Sequence, residues 1–120
     1  MKILGLGAKL KITVGEDETL YSRPLFEAIV FAAKKYKIAG TTVYKGIMGY
    51  GAENLTNNPK AFLSSESFPI NIELVDIQER LTDFAVIAQG LMDKANAGGL
   101  ITMENIEIIR YGHPSETAKI

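Results

Sequence analysis

The chain has 120 residues and a mass of 13.1 kDa, with 47% hydrophobic and 22% charged residues, the balance of one folded domain rather than a disordered chain. Thirteen Lys/Arg against fourteen Asp/Glu leave a net charge of -1, so no broad positive field is present to hold nucleic acid. The absence of cysteine excludes disulfides, thiol catalysis and cysteine-ligated zinc.

The N-terminal run MKILGLGAKLK has none of the long apolar stretch of a secretory leader, and no segment approaches the roughly eighteen apolar residues of a membrane span. The expectation is a cytoplasmic protein outside the membrane. Charge separates along the chain. Residues 1–60 hold nine Lys/Arg and five Asp/Glu, and residues 61–120 hold four and nine, giving +4 and -5. A single folded domain interleaves these halves into a mixed surface; complementary faces that meet between subunits are the alternative.

In chain order, Lys9–Val14 alternates Leu10, Ile12 and Val14 with polar residues and predicts a first strand, ended by Gly15-Glu16-Asp17-Glu18. Ser22 is positioned to cap a helix with Pro24 in its first turn, where a missing N–H costs nothing. Leu25, Ile29, Ala32, Ala33 and Tyr36 recur at helical spacing, and Ala39-Gly40 closes the helix. Thr41–Tyr50 reads as a second strand, with Val43, Lys45 and Ile47 on one face and Thr42 and Tyr44 on the other. Ala52–Phe68 has no period and, at seventeen residues, is long for a plain connection. Ile70–Val75 forms a third strand, Asp76 and Glu79 a capping-box pattern, and Leu81, Phe84, Ala85, Ala88, Leu91 and Met92 a strong helical stripe. Asn96-Ala97-Gly98-Gly99 stops that helix. A last strand is expected over Asn105–Tyr111, with a shorter extended piece at Leu100–Met103 and a tail after Gly112.

The order β-α-β-β-α-β predicts an α+β chain, a ferredoxin-like two-layer sandwich with both helices on one side of a four-stranded sheet. The uncovered face is expected to present Lys11, Thr13, Thr42, Tyr44, Asn71, Glu73, Val75, Glu107, Ile109 and Tyr111, a polar and apolar mixture suited to oligomerisation. Tyr44 and Tyr111 could stack bases, but Glu73 and Glu107 share their surface, which argues against RNA.

Candidate chemistry centres on Lys45-Gly46-Ile47-Met48-Gly49-Tyr50-Gly51, which leaves the second strand. Glycines there can adopt positive φ and turn backbone N–H groups toward an anion, with Lys45 as the charge complement. The alternative is that Gly46, Gly49 and Gly51 only let the strand twist and exit. The pattern is neither a Walker loop nor a Rossmann turn. Gly98-Gly99 is a helix stop that could join the first cluster in a cleft across a subunit boundary, and Arg110 offers a guanidinium suited to phosphate or carboxylate, the alternative being an ion pair with Glu107 or Glu73 on the open face. His113, the only histidine, has no nucleophile at a meaningful spacing, and Glu16, Asp17 and Glu18 form a solvated acidic turn rather than a magnesium site. No catalytic or metal-ligating set emerges.

The stretches GEDETLYSRPLFEAIVFAAKKYKIAGTTVYKGIMGYG, LSSESFPINIELVDIQERL and GGLITMENIEIIRY resemble the family called domain of unknown function 190, a PII-like family, over about Leu6 to Tyr111. The resemblance implies trimers of ferredoxin-like subunits with ligands in clefts between neighbours. It also implies a T-loop between the second and third strands. The T-loop base then corresponds to Lys45–Gly51, the B-loop to Ala97–Thr102, and a basic residue near the end of the last strand to Arg110. The chain departs from PII signal transducers in having no tyrosine in Ala52–Phe68 and no lysine in Asn96–Thr102. These departures argue against nitrogen signalling through uridylylation and against ATP in particular. What the resemblance implies is therefore a non-enzymatic, cytoplasmic regulatory protein that forms a homotrimer. It would bind a small anionic ligand, an adenine nucleotide among the candidates, and act on a partner such as a membrane transporter through its long loop. The alternative is an oligomeric metal- or stress-related binding protein of the divalent-ion-tolerance type.

Overall fold

In the computed structural model, residues 5–51 and 68–114 are described. Most of the expected long loop, with residues 1–4 and 115–120, lies outside them. Strand β1 spans Gly5–Gly15, the short strands β2 and β3 are Thr19–Leu20 and Arg23–Pro24, and helix α1 is Leu25–Tyr36. Strand β4 covers Gly40–Lys45, β5 Pro69–Asp76, α2 Gln78–Lys94 and β6 Leu100–Ile108. The sheet order is β4-β5-β1-β6, every pairing antiparallel, with β2 and β3 forming a separate hairpin. This is the ferredoxin-like α+β arrangement expected from the element order.

Register explains why the layers hold. Leu10 lies opposite Leu74 and Met103, and Ile12 opposite Ile72 and Ile101, so one face of the central strands is a continuous apolar row. Leu25, Ile29 and Ala33 of α1 and Leu81, Phe84 and Ala88 of α2 are fully buried against it. Each large side chain buried this way contributes about 1.5–3 kcal/mol. The helices meet where Tyr36 and Phe84 lie 6.1 Å apart, tilted by 48°.

Several boundaries differ from expectation. Ser22 does not cap α1. It and Tyr21 form the two-residue turn of the β2–β3 hairpin with φ of 67° and 52°, and the helix starts after Pro24 without a side-chain cap. Ala39-Gly40 does not close the helix either; Lys37 takes the left-handed position at φ 63°, and its N–H reaches Lys34 O. Strand β4 stops at Lys45, five residues before Tyr50, and the last two pieces form one strand that ends at Ile108.

Asp76 and Glu79 form no capping box: Ile77 is the cap residue, without a side-chain cap bond. Asp76 is 1% exposed and serves instead as a hub. It accepts from Ile77 N–H at 2.7 Å, Ala39 N–H at 3.0 Å and Arg80 Nε at 3.0 Å, while Arg80 Nη2 donates to the carbonyls of Tyr36 and Lys37. One ion pair thus ties the end of α1, the approach to β4 and the start of α2.

Candidate functional site

Antiparallel pairing puts the end of β1, the exit of β4, the start of β5 and the start of β6 at one end of the sheet. Lys45 closes β4, where it lies opposite Ile70, and Gly46 N–H donates to Pro69 O at 2.8 Å. The β1–β5 ladder continues one step past its last pair, with Glu16 N–H donating to Phe68 O at 2.8 Å. By strand alternation Lys45, Phe68 and Glu16 fall on the helix-bearing side and form a row across three strands.

That row is in contact. Lys45 Nζ lies 3.0 Å from Glu16 Oε2 and 4.2 Å from the centre of the Phe68 ring. Both charged side chains keep solvent access, 49% for Lys45 and 34% for Glu16, so the pair is held loosely enough to exchange partners. Sequence reasoning singled out Lys45 but missed Glu16 and Phe68 as its partners. The signal was present: extending Leu10-Ile12-Val14 forward by two reaches Glu16, and extending Ile70 back by two reaches Phe68.

The glycines beside Lys45 do not form the expected nest. None of Gly46, Gly49 and Gly51 has positive φ, and the Gly46 N–H is taken by the sheet. Their use is close approach: a Cβ on Gly46 would lie 2.7 Å from Pro69 Cγ, and one on Gly49 3.3 Å from the same atom. The turn therefore folds flat over Pro69. This leaves Ile47 (91%), Met48 (76%) and Tyr50 (77%) exposed, within five residues of the half-exposed Lys45.

Gly98-Gly99 lies at the same end of the sheet but beside β6, at the opposite edge from β4. Three strand spacings of about 4.8 Å separate the edges, roughly 14 Å. Within one chain the two glycine turns do not share a cleft. Gly99 is required by contact, since a Cβ there would lie 2.6 Å from Thr13 O and 2.6 Å from Met92 Cε. Arg110 is displaced further. It lies beyond the end of β6, at the other end of the sheet, exposed and without an ion pair to Glu107 or Glu73 among the described residues. Tyr111 is held there by its hydroxyl, which donates to Ala39 O at 2.7 Å.

On the uncovered face the registers place Lys9, Lys11, Thr13, Thr42, Tyr44, Asn71, Glu73, Val75, Leu100, Thr102, Glu104 and Ile106. Glu107 pairs with Leu6 and has the opposite parity, and Ile109 and Tyr111 follow the strand, so these three are removed from the expected set. Thr13 bonds Asn71 at 2.8 Å, Tyr44 donates to Glu73 at 2.5 Å, and Lys9 lies 3.8 Å from both Glu73 and Glu104. The bond to the Glu73 carboxylate, then lost hydration and the carboxylate's charge, push the Tyr44 phenol above its ordinary range. Among the described residues no group of three or more acidic or histidine side chains could hold a metal ion, and no helix is long and apolar enough to cross a membrane.

A four-stranded antiparallel sheet in this order with two helices on one face defines a ferredoxin-like α+β domain. The chain belongs to the DUF190 family, described as "Uncharacterized ACR", which matches residues 7–108. It is 33% identical over 100 residues to a UPF0166 protein of Aquifex aeolicus, covering 83% of this chain and 90% of the relative. A UPF0166 protein of Methanocaldococcus jannaschii is 36% identical over 72 residues, 60% of this chain and 66% of that protein. Among solved structures, CPII of Thiomonas intermedia bound to ADP, AMP and acetate superposes with a TM-score of 0.63 at 16% identity, covering 95% of this chain and 96% of that one. CPII bound to ADP and bicarbonate also gives 0.63, at 15% identity and with 90% and 93% covered. At such identity the likeness shows the fold.

Proposed function

We propose that this chain is a non-catalytic regulatory protein that assembles through its uncovered sheet face into a homotrimer and binds a small anionic ligand between subunits. The ligand's corner is Lys45–Gly51 of one subunit; Gly98, Gly99 or Arg110 of a neighbour completes it. The observation that carries this reading is the half-exposed Lys45 ammonium at the exit of an edge strand, followed directly in the chain by the exposed Ile47, Met48 and Tyr50. A cation with exposed apolar side chains next to it in the chain suits a flat, phosphate-bearing molecule such as an adenine nucleotide. The solved CPII structures carry ADP, AMP, acetate or bicarbonate, which supports anions of this kind.

The distances within one subunit support the oligomer. The two glycine turns lie at opposite edges and Arg110 at the opposite end, so a second copy is the way to bring any of them to Lys45. The mixed face that includes Tyr44 and Leu100, 40% and 57% exposed, provides the surface for assembly. The chain leaves the sheet at Gly46–Gly51 and rejoins it at Phe68, so a ligand at Lys45 acts where the connecting segment is anchored. To signal, it must bind one state of that anchor more tightly than another. The partner that reads the change, a membrane transporter among the candidates, belongs to the same proposal, as does a cytoplasmic site of action.

The test is a thermal-shift panel of ADP, AMP, ATP, a cyclic nucleotide, bicarbonate and divalent cations, combined with the mass in solution. Binding to the folded assembly alone raises its melting temperature. A trimer stabilised by a nucleotide, with the shift lost in Lys45→Met, is expected. A monomer that no anion stabilises would refute the proposal, and stabilisation by divalent ions alone would favour the metal-binding alternative.

A further inference from the structure

Resting on the anion site proposed at Lys45, we infer that Glu16 is a built-in competitor for that site's ligand. Lys45 is not waiting unpaired. Its ammonium lies 3.0 Å from Glu16 Oε2 and over the Phe68 ring, so an incoming anion must take it from a carboxylate already in place. Glu16 is itself fixed by its backbone bond to Phe68 O and does not simply drift away with the lysine. An anion that captures Lys45 therefore leaves a carboxylate beside its own negative charge. Both effects weaken binding, and the competitor sets the ligand concentration at which the corner changes partners.

The same exchange reaches the chain's path. Lys45 precedes Gly46, whose N–H is bonded to Pro69 O, and it covers Phe68, the residue before Pro69. The contact from Lys45 across Phe68 to Glu16 is thus a clasp over the two points where the chain departs from β4 and returns to β5. Drawing Lys45 onto a ligand removes the clasp from both points at once. Binding and release of the anchor become one event, which gives the site the differential affinity that a regulator needs.

Titration of the full-length assembled protein with ADP tests this, comparing wild type, Glu16→Gln, Lys45→Met and the double variant, with circular dichroism to confirm folding. Removing an exposed competitor charge at about 3–4 Å should tighten ADP binding roughly 5- to 30-fold. The gain should shrink as salt rises, and it should be smaller when Lys45 is already Met, where only the repulsion between Glu16 and the anion is left to remove. Binding by Glu16→Gln where wild type binds nothing detectable also supports the inference. Wild-type binding that Glu16→Gln leaves unchanged or weakens overturns the competitor while sparing the anion site. No binding by either protein overturns both. Hydrogen exchange without ligand supplies a separate reading: Glu16→Gln should speed exchange of the Gly46 and Glu16 amides, and unchanged rates would show that no clasp exists.

Discussion

The two ends of the sheet handle charge in opposite ways. At one end, Asp76 is 1% exposed and receives Ile77, Ala39 and Arg80, while Arg80 also binds the last carbonyls of α1. At the other, Lys45 and Glu16 are 49% and 34% exposed, with one contact between their charged groups and uncovered Ile47, Met48 and Tyr50 nearby. Arg80 itself keeps 32% exposure, close to that of Glu16, but its partner carboxylate is buried and hydrogen-bonded from three sides, and a buried charge of that kind is costly to leave without its cation. A half-hydrated pair contributes little to stability and can change partners. The fold thus separates an anchor from a candidate site, and the difference follows from the burial of the one carboxylate, Asp76, rather than from residue type, since each end uses one basic and one acidic side chain.

The largest way to break this contrast is Arg80→Ala. It strands the buried Asp76 carboxylate and uncaps α1, and should cost about 3 kcal/mol, read as a lower urea midpoint. Glu16→Ala at the other end should change stability by less than about 1 kcal/mol. Equal losses would erase the distinction between the ends. Gly46→Ala comes next. Its methyl would meet Pro69 Cγ at 2.7 Å, and the proline ring has little freedom to yield, so about 1–3 kcal/mol should be lost and the Lys45 corner displaced. Full stability in that variant would show that the turn does not lie flat on Pro69.

The smallest effect concerns the uncovered face. Tyr44 should ionise above the ordinary tyrosine range, because its hydrogen bond to Glu73 favours the neutral phenol. The sign follows directly: the folded value is raised, so this contribution to stability is fully present below the unfolded value near 10 and is lost as pH rises through the folded one. Ultraviolet titration should show a late component in wild type, from Tyr44, that returns toward the ordinary range in Glu73→Ala. A wild-type curve without that late component would contradict the bond.

The architecture was legible because it rests on periodicity. The alternation of Leu10, Ile12 and Val14 and the stripe from Leu81 to Met92 report burial directly, and both helices and all four sheet strands were placed in the right order. What failed depended on long-range geometry. Ser22 has the chemistry of a helix cap, but the β2–β3 hairpin turns at Tyr21 and Ser22 and leaves Pro24 at the helix start. Lys37 takes a left-handed position that favours glycine, aided by its N–H bond to Lys34 O and by Ile38 N–H bonding Ala33 O. In β6, taking Asn105–Tyr111 as the strand, three residues too long at its C-terminal end, put Ile109, Arg110 and Tyr111 in a ladder they do not join. At the candidate site, the glycine spacing suggested positive φ, where contact with Pro69 is the constraint. Glu16 lies twenty-nine residues before Lys45, and only the β1–β5 and β4–β5 registers together bring them to the same corner.

Whether an anion is held at Lys45 decides between a ligand-binding corner and a bare surface ion pair. Calorimetric titration of the assembled wild-type protein with ADP, beside Lys45→Met of the same oligomeric mass, measures this. Saturable heat near one ADP per subunit, lost or weakened at least tenfold in Lys45→Met, is the expected result. Equal binding by the two proteins, or no heat from either, would contradict it.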